Sequence, residues 1–413
     1  MTTSETAATP GAVTAAPPGT VTTTMTAPTS ASMPPSGTGS RGTGSGDILA
    51  PAAAPDPDLL YSDTEDALRA TVRALLADRA DARTVLARAE SGSPYVPGLW
   101  DALAGRIGAA GLLVPEELGG QGAGPREAAV VMEELGRAVT PVPYLTSAVV
   151  ATGTLLALGD PAGPAAGLLG SLASGERVAA LAVPLSTAPG ADPVADGPVP
   201  AVADAAAADI LLVPRVDGLY AVPAAEALIT PQIPLDLTRP LATVDARFAP
   251  GTRLADAATG RAAVRRGLLT GAGLLASEQL GLAEWCLEAA VRHTRERHQF
   301  NRPVGSFQAL KHRMARLWLE LVGARAAARA AADALATGAA DTELTVAVAQ
   351  TYCARTAVRA AEECVQLHGG IGMTWEHPAH LALKRAKSDQ TALGSAGRHQ
   401  DTLAALVDLP APR

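Results

Sequence analysis

From about residue 262 to residue 407, apolar residues recur three and four positions apart through four long segments, roughly 262–299, 306–337, 341–367 and 378–407. That spacing lays a stripe along one face of an α-helix, and the stripe has to be buried against another element. Four such segments with short connections predict an antiparallel four-helix bundle over 256–413. Aromatic residues make up only 3% of the chain, so the packing must come from Leu, Val and Ala, which suits closely approaching helices.

Upstream, residues 58–175 read as a helical domain. In SDTEDALRATVRALLADRA, Ser62 and Glu65 form a capping box ahead of an amphipathic helix. Further helical patterns follow through GLWDALAGRIGAAG, PREAAVVMEELGRAV and TSAVVATGTLLALG. From Arg177 the period changes: VAALAVPL and ILLVPRVDGLYAV are short β-branched runs, with Asp217–Gly218 predicted as a tight hairpin turn. A small β domain over 176–255 is expected. Residues 1–57 are mostly Thr, Ala, Pro, Ser and Gly, too poor in apolar surface to offset chain entropy, and predict a disordered tail. The GTGSG within it resembles a dinucleotide loop only superficially, since no strand precedes it.

The formal charge of −8 carries no basic block, which argues against a nucleic-acid partner. No apolar run is long enough for a membrane span, and the N-terminus lacks the basic and apolar regions of a leader. Cys286, Cys353 and Cys364 are scattered within helical patterns, as reduced core thiols would be. The expectation is a soluble, cytoplasmic protein.

Three stretches could carry chemistry. RERHQFNRPVGSFQALKHRMA places Arg297, Arg302 and Gln308 around a helix end near Phe300 and a helix start near Ser306, where backbone N–H groups and the dipole favour an anion such as a pyrophosphate. QLHGGIGMTWEHPAH sets Gly369, Gly370 and Gly372 after a helix, more glycine than a C-cap requires. GLLVPEELGGQGAG, Gly111 to Gly124, is a glycine-rich loop between helices. His377 and His380 are three apart with His368 nearby, but no carboxylate or cysteine completes a ligand set, and no metal is expected.

Taken in order, these stretches resemble the acyl-CoA dehydrogenase family from about Asp63 to the C-terminus. GLLVPEELGGQGAG is similar to its "G-L-x-x-P-E-x-x-G-G-x-G", RERHQFNRPVGSFQ to its "R-x-x-F-G … Q" with Asn301 in place of the usual glycine, and QLHGGIGMTWEHP to its "Q-x-x-G-G-x-G". The resemblance implies the same three-part fold and FAD as cofactor. Arg297, Phe300, Gln308, Gln366, Gly369 and Gly370 would hold the ADP half of an FAD belonging to a neighbouring subunit, which implies an oligomer. It also implies α,β-dehydrogenation of an acyl-CoA thioester, in which a carboxylate removes the α-proton, the β-hydrogen leaves as hydride, and an electron-transfer flavoprotein accepts the electrons.

The chain departs from that pattern where the base is expected. The family's usual glutamate falls on Leu393, and the alternative position, on the first bundle helix, falls on Gly271. Among nearby carboxylates, Glu284, Glu288 and Asp389 included, Glu278 and Glu376 are the candidate substitutes. The β domain also lacks the family's "T-E-P-x-x-G-S-D" segment, and no tryptophan occurs between Trp100 and Trp285. Two readings stay open: a FAD-dependent acyl-CoA dehydrogenase, as a homo-oligomer or paired with a second such subunit, or a non-catalytic subunit that completes the FAD site of a partner dehydrogenase.

Overall fold

The computed structural model describes residues 56–159, 163–195 and 197–410. The expected disordered tail lies outside them apart from its last two residues. The N-terminal part contains α1 (Asp63–Arg79), α2 (Ala82–Glu90), α3 (Pro125–Ala138), α4 (Thr152–Leu156) and α5 (Pro164–Ala173), with π-helical turns at Asp101–Arg106 and Tyr144–Ala151. The capping box forms as read: Glu65 N–H donates to Ser62 Oγ at 3.1 Å, and Ser62 N–H to Glu65 Oε2 at 2.7 Å. Glu65 also accepts from the fully buried Arg329 at 2.7 Å, so the cap ties the N-terminal part to the bundle.

The β domain holds β1 (Ala179–Leu181), β2 (Val199–Ala203), β3 (Ile210–Arg215), β4 (Gly218–Pro223), β5 (Leu228–Gln232), β6 (Leu241–Asp245) and β7 (Thr252–Asp256). One sheet runs β1-β3-β4-β7, with β1 parallel to β3 and the other pairs antiparallel; the second runs β2-β6-β5 and is antiparallel. On β3, Ile210 and Leu212 join the main core, while Leu211 and Val213 join a second core between the sheets. A strand buried on both faces explains the unbroken apolar run.

The β3–β4 hairpin is present, but its turn is Val216–Asp217 rather than Asp217–Gly218, because Arg215 pairs with Gly218. Asp217 is held there from both sides: Tyr220 donates its hydroxyl to Oδ2 at 2.6 Å and Arg253 donates to the carbonyl at 2.6 Å.

The bundle comprises α6 (Ala257–Glu296), α7 (Gln308–Thr337), α8 (Thr342–His368), α9 (Ala379–Asp389) and α10 (Ala396–Leu406), with a short hairpin of β8 (His298–Gln299) and β9 (Arg302–Pro303) after α6. Two readings need correction. The first bundle helix stops at Glu296, since Phe300 and Asn301 both take left-handed backbone (φ 53° and 59°) and reverse the chain between β8 and β9. The fourth long segment is two helices, broken where Leu393 and Gly394 turn left-handed and Ser395 caps α10 by accepting from Arg398 N–H. Among the described residues, no helix is long and apolar enough to cross a membrane.

A buried ionic network ties the β domain to the bundle. The connection between β5 and β6 supplies Asp236, Thr238 and Arg239; α6 supplies Glu278; α9 supplies Arg385 and Asp389, and all six are buried. Arg239 donates to Glu278 at 2.5 Å, and Arg385 bonds Asp236 at 2.5 Å, the Thr238 hydroxyl at 2.7 Å and Glu278. Burial alone would raise the Glu278 carboxyl, but the two guanidinium groups outweigh it and hold it below the usual range. Asp389 is different: neither of its oxygens has a hydrogen-bond partner, and burial, with Glu278 adding to it, pushes its carboxyl well above the ordinary value.

Asp389 therefore retains in the native state a proton that the unfolded chain releases above pH ~4. A raised folded value makes its contribution largest below that pH and smaller as pH rises. Asp389→Asn, which keeps the neutral shape, is expected to flatten that decline and leave the protein relatively more stable at pH 7 than at pH 4. Arg385→Met strands the buried Asp236 and leaves Glu278 with Arg239 alone, and should cost about 3–5 kcal/mol. Urea unfolding across the pH range measures both.

Candidate active site

Leu393 sits at the break between α9 and α10, only 3% exposed. Its N–H donates to Leu185 O at 2.7 Å, and its carbonyl faces His399 Nε2 at 3.0 Å. Burial lowers the proton affinity of His399, so the ring is neutral at pH 7 and this contact assigns its N–H to Nε2. Both backbone groups are thus anchored while the side chain points at α6.

The two positions at which the family pattern would carry a base meet here. A Cβ added to Gly271 would lie 2.6 Å from Val150 Cγ2 and 3.0 Å from Leu393 Cδ1. Leu393 and Val150 fill the space a side chain at Gly271 would need. Gly273 is similarly crowded by Leu335 Cδ1 at 2.5 Å, so the small residues of α6 serve helix packing rather than an acyl channel.

What is left beside Leu393 is a space of about 30 Å³ lined by Val150, Leu181, Val183, Leu268 and Thr146, enough for a water molecule or two. Thr146 is the one polar side chain of that lining, and its hydroxyl donates to buried Asp204 at 2.7 Å. Outside lies a cleft of about 710 Å³, formed by the segment after β1 (Pro184 to Ala195), Arg265 and Leu269 of α6, the first turns of α8, and α10. That is the size range of ligand pockets.

Neither proposed substitute base reaches this space. Glu278 is saturated by Arg239 and Arg385. Glu376 is exposed in the loop before α9, where a bond from its own backbone and one from the Thr374 hydroxyl lower its carboxyl.

The residues read as cofactor-holding lie together on the surface at the other end of the bundle helices. Arg297, Phe300 and Gln308 are exposed, as are Gln366, Gly369 and Gly370. The two groups are joined by ring stacking: His293, one turn before Arg297, lies 4.4 Å from His368, the residue before Gly369. His377 lies against the His368 ring at 4.3 Å, and burial together with the charge of His368 takes its imidazole down to about 4.

A dinucleotide diphosphate fits these residues. Gly369 takes φ 63°, and neither it nor Gly370 would meet any atom within 4 Å of an added Cβ, so the shelf is open. No side chain caps the start of α7 at Gln308, which leaves its first N–H groups free for an anion. Arg302 lies 3.9 Å over the Phe307 ring and rigidifies the hairpin. Among the described residues, no group of three His, Cys, Asp or Glu side chains is arranged to hold a metal.

Sequence reasoning missed Asp236, Arg239 and Arg385, and the Cys364–His368 pair. Cys364 Sγ lies 3.6 Å from His368 Nδ1, and the Cys286 thiol, with His368 adding to it, lowers the Cys364 thiol to about 6. The signal was available: Arg385 and Asp389 are charges four apart flanked by Leu381, Ala382 and Ala386, and a charge inside an apolar stripe marks a buried ion pair rather than a solvated face.

Comparison with known proteins gives the following. Residues 62–176 match the model for the acyl-CoA dehydrogenase N-terminal domain, and residues 258–407 that for the C-terminal domain. The acyl-CoA dehydrogenase IpdE2 of Mycobacterium tuberculosis is 37% identical over 332 residues, 79% of this chain and 92% of that protein. Its namesake in Mycolicibacterium smegmatis is 36% identical over 338 residues, 81% and 95%. Among solved structures, a chain of the ChsE4-ChsE5 complex from Mycobacterium tuberculosis aligns with a TM-score of 0.75 at 26% identity, covering 86% of this chain and 100% of that one. A Tcur3481-Tcur3483 steroid ACAD variant aligns with a TM-score of 0.74 at 27% identity, covering 84% and 98%.

The Gly271 contact generates a stability prediction. Gly271→Ala forces a methyl into Val150 and Leu393 and should cost about 1–3 kcal/mol. Combined with Val150→Ala, the loss should fall short of the sum of the two single losses by about 0.5–3 kcal/mol, because the second change removes the atom the first one strikes. Denaturant unfolding of the four proteins of the cycle measures it; strict additivity would contradict the contact.

Proposed function

Because the chain belongs to the acyl-CoA dehydrogenase family, we propose that it works as a flavoprotein in the α,β-dehydrogenation of an acyl-CoA thioester, assembled with a second acyl-CoA dehydrogenase subunit. FAD is the family's cofactor and, when bound, supplies the acceptor for the β-hydrogen as hydride. The observation that carries this reading is the joining of the two cofactor segments into one open surface through the His293–His368 stack.

In this reading Arg297 and the free N–H groups at the start of α7 hold the diphosphate, and Gly369 and Gly370 let it approach the backbone. Phe300, 85% exposed, offers a ring for an adenine or a neighbouring chain to cover. The cleft between the segment after β1 and α10 receives the acyl-CoA. An electron-transfer flavoprotein takes the electrons, and the three buried free thiols suit a reducing, cytoplasmic setting.

An assembly is supported by the outer face of α7 and α8, where Trp318, Leu319, Val322, Val348 and Tyr352 are exposed together and need cover. A similar chain is solved within the ChsE4-ChsE5 complex, which supports a mixed assembly.

A second reading, a non-catalytic subunit completing its partner's FAD site, is favoured by one observation: Leu393 closes on Gly271 and no carboxylate reaches the space beside them.

Expression of the chain alone and together with a neighbouring gene's dehydrogenase separates the readings. A yellow assembly bleached by acyl-CoA under anaerobic conditions is expected, with Arg297→Ala lowering its flavin content severalfold. One flavin per two chains, appearing only with the partner, would select the second reading. Protein that is colourless in every assembly would overturn both.

A further inference from the structure

We propose that Cys286 and Cys364 form a peroxide-sensitive thiol pair, and that their oxidation to a disulfide disturbs the cofactor-type surface beside them. The second half rests on the reading of that surface given above; the first half does not.

Helix register brings the two sulfurs together. α6 and α8 run parallel, and Gln350 of α8 donates its side-chain N–H to the Ala272 carbonyl of α6, 78 positions away. Cys286 and Cys364 keep that offset and lie 14 residues further along each helix, close to four turns. The same two faces therefore meet again, and both thiols are fully buried in one core. The Cys286 S–H donates to the Cys364 sulfur. His368, one turn on from Cys364, completes the group. Its Nδ1 lies 2.7 Å from the Cys364 carbonyl, which can only accept, and 3.6 Å from Cys364 Sγ, so the ring proton sits between oxygen and sulfur.

The three free thiols are not alike. Cys364 is faced by the Cys286 thiol, by His368 on its own helix and by Arg292 of α6, which together hold it at about 6, so it is a thiolate at pH 7. Burial keeps Cys286 well above its ordinary value, and therefore protonated. Cys353 has neither neighbour: its thiol donates to the Ala324 carbonyl at 3.4 Å, and burial pushes it up to about 12. An attacking thiolate beside a second, protonated thiol is the arrangement that a reversible disulfide requires. A path in exists as well. α8 ends at His368, and Gly369 after it is exposed and left-handed (φ 63°), so fraying of the last turn admits a water-sized oxidant.

Hydrogen peroxide is the oxidant. The Cys364 thiolate attacks one peroxide oxygen, the O–O bond breaks, and a proton from solvent turns the departing hydroxide into water, leaving a sulfenic acid. The Cys286 sulfur then displaces that hydroxyl, which takes the Cys286 proton and leaves as a second water while the S–S bond forms. Two electrons pass from the thiol pair to peroxide. The disulfide takes the anionic sulfur away from His368, whose ring lies 4.4 Å from that of His293 and joins the two cofactor segments.

Peroxide treatment of the full chain, alkylation under denaturing conditions and peptide mass mapping test the pair. A Cys286–Cys364 linked peptide that dithiothreitol reverses is expected, formed at least about tenfold faster than any oxidation of Cys353. In Cys286→Ala the product stops at a Cys364 sulfenic acid that dimedone traps, and Cys364→Ala leaves Cys286 intact. The wild-type rate should rise with pH to half its plateau near 6, and His368→Gln should move that midpoint upward. Equal oxidation of all three thiols, a link through Cys353, or no link at all would overturn the pair; a midpoint unmoved in His368→Gln would remove His368 from it. For the coupling, the imidazole NMR resonances of His293 and His368 should shift between reduced and oxidised protein, and oxidised wild type should retain severalfold less flavin than Cys286→Ala treated alike. Unmoved resonances or equal flavin retention would overturn the coupling. Shifted resonances in protein that is colourless in both states would sink the flavoprotein reading and leave the thiol pair standing.

Discussion

The architecture depends on two arginines that are buried together with three carboxylates. Arg239, from the connection between β5 and β6, and Arg385, on α9, share Glu278 of α6 between them, and Arg385 also clamps Asp236. These are the bonds by which a small β domain is locked onto a long helix bundle, and each guanidinium uses its planar fork to satisfy several acceptors at once. Two cations against three carboxylates leave one negative charge too many, and it is the Asp389 carboxyl that burial and Glu278 push well above its ordinary value, with Arg239 Nη2 at 3.4 Å but no hydrogen bond to either oxygen.

That network decides what can happen at the other positions. It ends α9 at Asp389, and the turn that follows delivers Leu393 onto Gly271 with its backbone bonded to Leu185 and facing His399. The same packing holds Glu278, a buried carboxylate of α6, as a structural anion between two guanidinium groups. The cofactor-type surface, in contrast, is assembled independently at the far ends of α6 and α8 by the His293–His368 stack. The open surface around Gly369 and Gly370 and the aliphatic contact at Leu393 are therefore separable parts of this fold.

Much of this was legible in the chain. The capping box at Ser62, the switch from helical to β-type pattern after Arg177, and the return to long helices all follow from local chemistry that tertiary contacts reinforce. The break within 378–407 was readable too, since Gly394 followed by Ser395 is a helix stop beside a helix start, but the apolar spacing around Leu393 masked it. The turn at Val216–Asp217 was missed by one residue because Asp-Gly is the familiar turn pair, whereas the pairing of Arg215 with Gly218 places Gly218 in β4. Of the ionic network, the charges on the apolar face of α9 were legible but their partner was not, since Asp236 and Arg385 are 149 positions apart.

The central proposal is that an aliphatic contact at Leu393, rather than loss of the cofactor surface, is what withholds a base at this position. The most direct test is anaerobic stopped-flow mixing of acyl-CoA thioesters with the flavin-loaded protein, comparing wild type with Leu393→Glu. A positioned general base is worth about 10² to 10⁴ in rate, so flavin bleaching in Leu393→Glu should exceed that of wild type by at least about 10². Wild type bleaching as fast as Leu393→Glu would contradict the account, because a base would then have to act from a residue other than the two positions that meet at Leu393.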